Sequence, residues 1–414
     1  VCLVDIGADS PLQIVCGASN VRAGIHVPVA RVGAVLPAVD LTIKAGELRG
    51  VASNGMICSL SELGLADQSE GIAVLEEFAE NLPGLGTPVA ALFGLDDTVI
   101  ELAITANRPD GLSMVGIARE VAALTGGSLS LPELDLKPDH QPLAAELDGC
   151  FYGITRLDGV KGSQASPAWL RQRLEHAGVN CVNSVVDITN LVMLEQGQPL
   201  HAFDADALER LTGQAVTAES FGVRPARDGE LFLGLDEQQR TLDARVQVVT
   251  CNDRAVAIAG VMGSKESGVT STTISIWLES AMFSAVRVRQ SARAMGLRTD
   301  ASSRFEKGLP LEITLASSQR AVTLLEGLFQ CQTLGRWVGG QGPEEPTPVL
   351  MRRRALHQLL GPLCSEQGVK QLEDSSVERC LKALGCSLTS TDEGWSVITP
   401  PSRRQDLHRE VDLI

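Results

Sequence analysis

The stretch VVDITNLVMLEQGQPLHAFD, residues 185–204, is the part of the sequence around which the fold is arranged. It opens with two β-branched valines and continues into an apolar run, which predicts a buried strand. Gly197 and Pro199 then interrupt any helix, so His201 follows a rigid bend. This placement suits a side chain aimed into a cleft, although a single histidine beside apolar residues is more often structural than catalytic.

A second run, LESAMFSAVRVRQSARAMGLRTDASSRFEKGLP at residues 278–310, concentrates positive charge. Between residues 285 and 308 it carries six basic side chains and only two acidic ones, in a chain with a formal net charge of −16. A cluster of this kind is typical either of a solvated helix face or of a surface that meets an anion.

A glycine-rich segment, AIAGVMGSKESGV at residues 257–269, lies between these two runs. Gly260, Gly263 and Gly268 permit a close approach between the backbone and a ligand, or they simply form tight turns. From these residues alone, the turns are the more common outcome.

Together the three runs resemble the editing region of the bacterial phenylalanyl-tRNA synthetase β-subunit family. The resemblance is carried by VVDITNxVMLExGQPLHAFD, AGVMG, LES and GLRTDASSRFEKG. It extends to both flanks and covers nearly the whole chain. Because the sequence opens inside a domain without a methionine and stops at Ile414, we expect a fragment that lacks both ends.

The resemblance implies a hydrolytic editing pocket for mischarged tyrosine. In it, Glu279 accepts a hydrogen bond from the tyrosine phenol, and His201 orients or deprotonates a water molecule. The resemblance implies that the pocket is lined by Thr189, Pro199, Gly263, Thr299 and Ala301. From the basic run, Arg298 and Arg304 are the candidates for contacts with RNA phosphate, and a solvated helix face is the alternative.

Composition restricts the remaining classes of function. Only 3% of residues are aromatic and Tyr152 is the single tyrosine, which argues against wide stacking platforms for single-stranded nucleic acid. Ten scattered cysteines without a CxxC pair argue against a zinc site or a disulfide framework and suit a cytoplasmic protein. The acidic balance argues against nonspecific nucleic-acid binding over the whole surface, and no apolar run predicts a membrane span.

The order of elements predicts a multidomain α+β chain. Residues 1–93 hold short strands and resemble an oligonucleotide-binding-fold (OB-fold) β-barrel of the tRNA-binding kind. Residues 94–142 predict a connecting domain, residues 148–335 an α+β editing domain, and residues 347–414 a winged-helix-like domain truncated at its end. Within the connecting domain, a helical stripe predicts core packing by Leu112, Val115, Ala118, Val121 and Leu124.

The last residues, PPSRRQDLHREVDLI, resemble a family run in which Arg-x-Asp is followed by a second Asp and two Glu. Asp406 and Asp412 match, and the resemblance implies a Mg²⁺ site shared with the α subunit. Since the two Glu fall beyond Ile414, the site is incomplete in this fragment and should bind the ion weakly. The resemblance assigns ATP to the α subunit, and the sequence has neither a P-loop nor a Rossmann fingerprint.

The resemblance therefore implies a member of the phenylalanyl-tRNA synthetase β-subunit family, and we expect it in the cytoplasm and without a membrane partner. The resemblance implies binding of tRNA(Phe), editing of Tyr-tRNA(Phe), and an α₂β₂ tetramer at full length in which the α subunit activates phenylalanine. Two alternatives stay open at this point. One is a noncatalytic tRNA-binding scaffold, and the other is a free-standing aminoacyl-tRNA deacylase that edits in trans.

Overall fold

The computed structural model describes residues 1–66, 68–78, 81–131, 140–342, 345–365 and 368–414. It divides the chain into two units, Val1–Ile100 with Pro167–Ala177, and Glu101–Ser166 with Gly178–Ile414. Part of the connecting domain expected at 94–142, residues 132–139, lies outside the described residues.

The α-helices of the described residues are numbered in chain order, and α2 belongs to the first unit. They are α1 (Met114–Thr125), α2 (Ala168–His176), α3 (Ser184–Gln196), α4 (Ala205–Thr212), α5 (Ala285–Met295), α6 (Asp300–Phe305), α7 (Glu312–Phe329), α8 (Arg353–Leu360), α9 (Asp374–Ala383) and α10 (Glu410–Leu413). None of the helices in the described part of the chain is both long and apolar enough to cross a membrane.

Short antiparallel ladders make up the strands of the first unit. They are β1 (Cys2–Val4), β2 (Leu12–Ile14), β3 (Val29–Arg31), β4 (Val35–Leu36), β5 (Leu41–Thr42), β6 (Gly46–Leu48), β7 (Val51–Ser53) and β8 (Gly55–Ile57). β1 pairs with β2, β3 with β8, β4 with β5, and β6 with β7. Ile14, Ile57 and Ile72 form one small apolar core of this unit. The closed barrel stays a prediction, because each of these ladders is a separate pair.

Two sheets organise the larger part of the second unit. Its strands are β9 (Gln141–Pro142), β10 (Phe151–Asp158), β11 (His201–Asp204), β12 (Phe221–Pro225), β13 (Leu231–Leu233), β14 (Gln239–Thr241), β15 (Gln247–Cys251), β16 (Arg254–Ile258), β17 (Met262–Gly263), β18 (Ser275–Met282) and β19 (Gln332–Gly339). The larger sheet has the order β11-β18-β10-β19-β9, and the smaller sheet has the order β12-β15-β16-β17. These mixed strands and helices confirm the α+β class.

The larger sheet is covered on both faces. On one face the Ser280 hydroxyl donates to the Thr314 carbonyl of α7, at 2.7 Å. On the other face Tyr152, Phe203 and Trp277 join one apolar core with residues of the smaller sheet. Because side chains alternate along a strand, Glu279 points toward that second face, between the two sheets.

The end of the chain forms its own apolar core around Trp395 and Met351. Its strands are β20 (Val349–Arg352), β21 (Leu363–Ser365), β22 (Gly368–Lys370), β23 (Ser387–Ser390) and β24 (Gly394–Ile398). The order β20-β24-β23 gives an antiparallel sheet beside α8 and α9. β23 and β24 form an antiparallel hairpin, while the winged-helix relationship stays a prediction.

The expected strand at the start of residues 185–204 is wrong, because this stretch forms helix α3. The Asn183 side-chain oxygen accepts hydrogen bonds from the backbone N–H groups of Val185 and Val186, at 3.1 and 3.0 Å. A capped first turn of this kind offsets the weak helix preference of the valines. The apolar run is nevertheless buried, as expected, with Val185, Ile188 and Val192 on the inner side of α3.

The stripe expected on α1 is only partly a core. Ser113 caps the helix through a hydrogen bond from the Gly116 N–H to the serine hydroxyl, at 3.0 Å. Val115 is buried, but the side chains of Val121 and Leu124 are 53% and 85% exposed. The prediction that the whole stripe packs into a core was therefore wrong for this end of the helix.

Candidate functional site

The site is built on three neighbouring strands of the larger sheet. In the antiparallel register, Glu279 on β18 lies opposite His201 on β11 and opposite Ile154 on β10. Side chains directly opposite each other share one face of a sheet, with Cβ atoms about 4.5–5.5 Å apart. Two of the predicted site residues, distant in sequence, are thus brought side by side.

The turn between α3 and β11 sets the position of His201. Gly197 ends α3 with a left-handed backbone conformation, φ 88°, which glycine adopts without strain. The buried Gln198 amide then donates to the Ala281 carbonyl on β18, at 2.9 Å, and to the Pro199 carbonyl, at 3.1 Å. The bend expected from GQP is confirmed, and a side chain fastens it to the strand that carries Glu279.

Glu279 is a buried carboxyl group with an internal partner. Glu279 is only 7% exposed. Its Oε2 accepts a hydrogen bond from the Tyr152 hydroxyl, at 2.7 Å. Burial raises the pKa of Glu279 to about 7, and the hydrogen bond from Tyr152 lowers it in part. Near neutral pH the group therefore exchanges between its protonated and ionised forms.

His201 is a buried, neutral imidazole on the same face of the sheet as Glu279. Burial lowers its pKa to about 4, because a charged ring would lose its hydration there. Its ring lies 4.5 Å from the Phe203 ring in an edge-to-face arrangement. Within the described part of the chain, its buried Nε2 has no hydrogen-bond partner. An unpaired nitrogen of this kind is suited to hold a water molecule or a substrate group.

Gly263 on β17 forms the wall facing His201. A Cβ atom at this position would lie 2.6 Å from His201 Nε2, closer than real Cβ contacts. The glycine is therefore needed for the His201 ring to occupy its place, while the close approach to a ligand that was considered from the sequence stays a prediction.

The other predicted lining residues are attached to this framework. The Thr299 hydroxyl donates to the Val261 carbonyl, at 2.9 Å, and caps α6 by accepting from the Ser302 N–H. This bond ties the RTDAS run to the chain that leads into Gly263. Ala301 is partly buried in the first turn of α6, and Pro199 is buried next to Gln198. Thr189 is buried in α3, where its hydroxyl donates to the Val186 carbonyl.

The two predicted RNA-binding arginines differ in environment. Arg298 is exposed. Arg304 is only 6% exposed, and its guanidinium donates to the carbonyls of Asp300 and Leu112. Its expected phosphate contact conflicts with this burial, since a buried guanidinium occupied by backbone carbonyls instead fastens α6 to the segment before α1.

The carboxylates predicted for Mg²⁺ are both occupied by arginine. Asp406 accepts both ends of the Arg403 guanidinium, and Asp412 is paired with Arg409, whose hydrogen bond lowers the pKa of Asp412 to about 2. Among the described residues, no group of three or more His, Cys, Asp or Glu side chains could hold a metal ion. The donor set of these two carboxylates does not fit a resident Mg²⁺.

Tyr152 is the site residue that the sequence did not single out. Its ring is fully buried and its hydroxyl bonds to Glu279. One signal was present, because it is the single tyrosine of a chain poor in aromatic residues.

Comparisons with known protein families give three matches along the chain. Residues 1–81 match the family described as "Putative tRNA binding domain", residues 149–330 match the B3/4 domain, and residues 349–414 match the tRNA synthetase B5 domain. The pocket residues from Tyr152 to Ala301 all fall within the B3/4 match.

Curated relatives match over the whole chain. The phenylalanine–tRNA ligase beta subunits of Synechococcus sp. strain CC9605 and strain CC9902 are 73% and 71% identical over all 414 residues, which span 51% of each relative. That of Prochlorococcus marinus strain MIT 9313 is 63% identical, with 52% of its length covered. The chain thus spans about half the length of these relatives.

One similar solved structure is an N-terminal fragment of the phenylalanyl-tRNA synthetase beta subunit from Pyrococcus horikoshii. It is 14% identical, with a TM-score of 0.34, and the match covers 73% of this chain and 80% of that one. A likeness at this level supports no conclusion about the fold. The curated relatives and the three domain matches agree with the motifs of the site, and they show that the chain is similar, over its whole length, to about half of a phenylalanine–tRNA ligase beta subunit.

Proposed function

We propose that this chain provides the tRNA-binding and editing part of a phenylalanine–tRNA ligase, and that it hydrolyses tRNA(Phe) mischarged with tyrosine. The observation that carries the proposal is the cross-strand pair of His201 and Glu279, with Gly263 directly against the His201 ring. The pair places an acceptor for a phenol and a neutral base on one face of the sheet. The B3/4 match over residues 149–330 and the names of the relatives support it.

An editing site separate from the site that selects phenylalanine is needed for a physical reason. A hydrophobic pocket that selects phenylalanine rejects tyrosine weakly, by roughly 10²-fold, because the extra hydroxyl is a small steric addition. A second site with a buried hydrogen-bond acceptor selects tyrosine over phenylalanine. Phenylalanine would leave the acceptor of Glu279 unpaired, whereas tyrosine supplies the missing donor.

Hydrolysis requires only a well-placed water molecule, because the aminoacyl ester is already reactive. The water oxygen attacks the ester carbonyl carbon, the water proton passes to His201 Nε2, and the ribose oxygen of the tRNA leaves and takes a proton. The products are tyrosine and free tRNA. The low pKa of His201 keeps Nε2 unprotonated at neutral pH, in the tautomer that carries its proton on Nδ1. Thr189, Pro199, Thr299 and Ala301 complete the proposed pocket.

The proposal assigns tRNA contacts to an exposed arginine and to the flanking domains. Arg298, next to the pocket residue Thr299, meets a phosphate. An OB-fold domain at 1–93 and a winged-helix-like domain at 347–414 flank the editing domain at 148–335, and the connecting domain occupies 94–142. The three domain matches lie inside these bounds, which supports them.

Phenylalanine activation belongs to the partner α subunit in this proposal, together with ATP and Mg²⁺. The full-length assembly is an α₂β₂ tetramer in the cytoplasm. No step of the editing reaction uses the ion, because the donor set of Asp406 and Asp412 does not fit it.

Hydrolysis of Tyr-tRNA(Phe) and Phe-tRNA(Phe) by the full-length protein with its partner subunit tests the function. We expect faster hydrolysis of Tyr-tRNA(Phe), and slower hydrolysis after His201→Ala while aminoacylation is spared. Binding of tRNA without any hydrolysis would instead favour the scaffold. Equal editing without the partner subunit would favour the free-standing deacylase.

A further inference from the structure

The single tyrosine of the chain forms a hydrogen bond with the carboxylate of the proposed site. Tyr152 lies opposite Ala281 in the register of β10 and β18, so its side chain reaches Glu279 diagonally across the sheet. The hydroxyl donates to Glu279 Oε2, at 2.7 Å, from a fully buried ring. A phenylalanine at position 152 would be sufficient for packing alone. The hydroxyl of Tyr152 therefore indicates a role that involves Glu279.

The hydrogen bond leaves Glu279 with one oxygen to offer. Oε2 is occupied by the phenol of Tyr152, and within the described residues Oε1 accepts no hydrogen bond. We propose that Tyr152 is a positioning residue that sets substrate specificity, because its hydroxyl holds the Glu279 carboxylate so that Oε1 reads the phenol of mischarged tyrosine. This inference rests on the proposed editing function and adds to it the residue that orients the acceptor.

The orientation and the ionisation of the Glu279 carboxylate both depend on its hydrogen bond from Tyr152. A carboxylate held by one donor has a fixed plane, whereas an unpaired one rotates between orientations that do not face the pocket. The bond also favours the ionised form, which accepts hydrogen bonds and donates none. Burial and the nearby carboxylate raise the pKa of Tyr152 well above its usual range, so the phenol keeps its proton and stays a donor.

The other titratable groups around Glu279 do not set its ionisation, which depends on Tyr152. His201 faces Glu279 from β11 and is neutral above about pH 4. The nearby thiols of Cys150 and Cys251 are protonated, because burial raises their pKa values to about 11 and 12. In the described part of the chain, the pKa of Glu279 is therefore set by burial and by the Tyr152 hydroxyl.

The test is Tyr152→Phe in the full-length protein with its partner subunit. Hydrolysis of Tyr-tRNA(Phe) and Phe-tRNA(Phe) is measured as kcat/KM from pH 5.5 to 8.5. We expect about a tenfold loss of tyrosine-over-phenylalanine selectivity, the size typical of one hydrogen bond to a charged group. The acidic limb of Tyr-tRNA(Phe) hydrolysis should move to higher pH, while hydrolysis of Phe-tRNA(Phe) changes little.

Ser280→Ala is the matched control, because it also deletes a buried hydroxyl from the structure around β18. Its hydroxyl bonds to Thr314 on the opposite face of the sheet, so selectivity and the pH limb should stay at the parent values. In the 414-residue chain, ¹³Cζ-labelled tyrosine gives one resonance. This resonance should shift in Glu279→Gln and stay in place in Ser280→Ala.

The outcomes separate this inference from the proposed function. If the parent prefers Tyr-tRNA(Phe) and Tyr152→Phe keeps both the selectivity and the pH limb, Tyr152 only packs and the inference is overturned while editing stands. An unshifted tyrosine resonance in Glu279→Gln would overturn it as well. A parent protein that does not hydrolyse Tyr-tRNA(Phe) would overturn the proposed function and this inference together.

Discussion

His201 and Glu279 lie directly opposite each other on the antiparallel strands β11 and β18, facing the core between the two sheets. The imidazole is held neutral by burial, and the same burial makes the carboxyl hard to ionise. In the proposed function, one environment therefore prepares both groups, His201 as a base that is free at neutral pH and Glu279 as an acceptor for a hydroxyl donor. The alternation of side chains along the strands is sufficient to place them on one face.

The two groups of this pair shift stability with pH in opposite directions. For His201, the unfolded chain binds a proton below about pH 6.5 and the folded chain only below about pH 4, so stability rises with pH in this window. For Glu279, the folded chain keeps its proton up to about pH 7 and the unfolded chain only to about 4.5, so stability falls as pH rises. Each slope is at most about 1.4 kcal/mol per pH unit.

Single substitutions should expose these opposing slopes. With Glu279→Gln, the free energy of unfolding should rise relative to the parent as pH rises from about 4.5 to 7. With His201→Gln, it should fall relative to the parent as pH rises from about 4 to 6.5. Urea unfolding across this range measures both, and slopes that stay equal to the parent's in the two variants would show that neither group titrates as described.

Gly263→Ala should push the His201 ring out of its place. The new methyl group would lie 2.6 Å from Nε2, so the ring or the backbone of β17 must move. We expect a loss of stability of about 1–3 kcal/mol, the usual cost of overpacking, together with slower Tyr-tRNA(Phe) hydrolysis. Thermal unfolding and the hydrolysis assay check the two effects.

Gly327→Ala is the control for that substitution. Gly327 is an exposed glycine within α7, and a methyl group there meets no atom within 4 Å. Alanine should stabilise the helix by about 0.5–1 kcal/mol and leave hydrolysis unchanged. Equal hydrolysis rates in the two glycine variants would remove the argument for a wall at Gly263.

Arg298→Ala should weaken tRNA binding through a lost phosphate contact. We expect the slope of log affinity against log salt to decrease by about 0.7–0.9, the change for one released counterion. Arg245→Ala is the control, since Arg245 is also exposed but is already paired with Asp243. If the two variants have the same salt slope, Arg298 lies on a solvated face.

Features of the fold that depend on neighbouring residues were easier to predict than features that depend on residues farther away in the sequence. The turn at Gly197 and Pro199 follows from signals within a few residues, and it was predicted. The valines before Asp187 were misread as a strand because β-branched residues favour strands, while the cap at Asn183 that starts α3 lies before the quoted stretch.

The site shows the same limit. His201, Gly263 and Glu279 were predicted through motif resemblance, and the structure brings them together. The bond between Tyr152 and Glu279 joins residues 127 positions apart, and only the pairing of β10 with β18 places them in contact. The burial of Arg304 against Leu112 is likewise a long-range contact that local charge counting cannot detect.

The central claim is that Glu279 distinguishes tyrosine from phenylalanine in the editing pocket. The most direct test is the ratio of kcat/KM for hydrolysis of Tyr-tRNA(Phe) and Phe-tRNA(Phe), measured for the parent and for Glu279→Ala. We predict that the parent prefers Tyr-tRNA(Phe) and that the variant loses most of this preference, by a factor of at least about ten. A variant that hydrolyses both substrates with the parent's ratio would contradict the account.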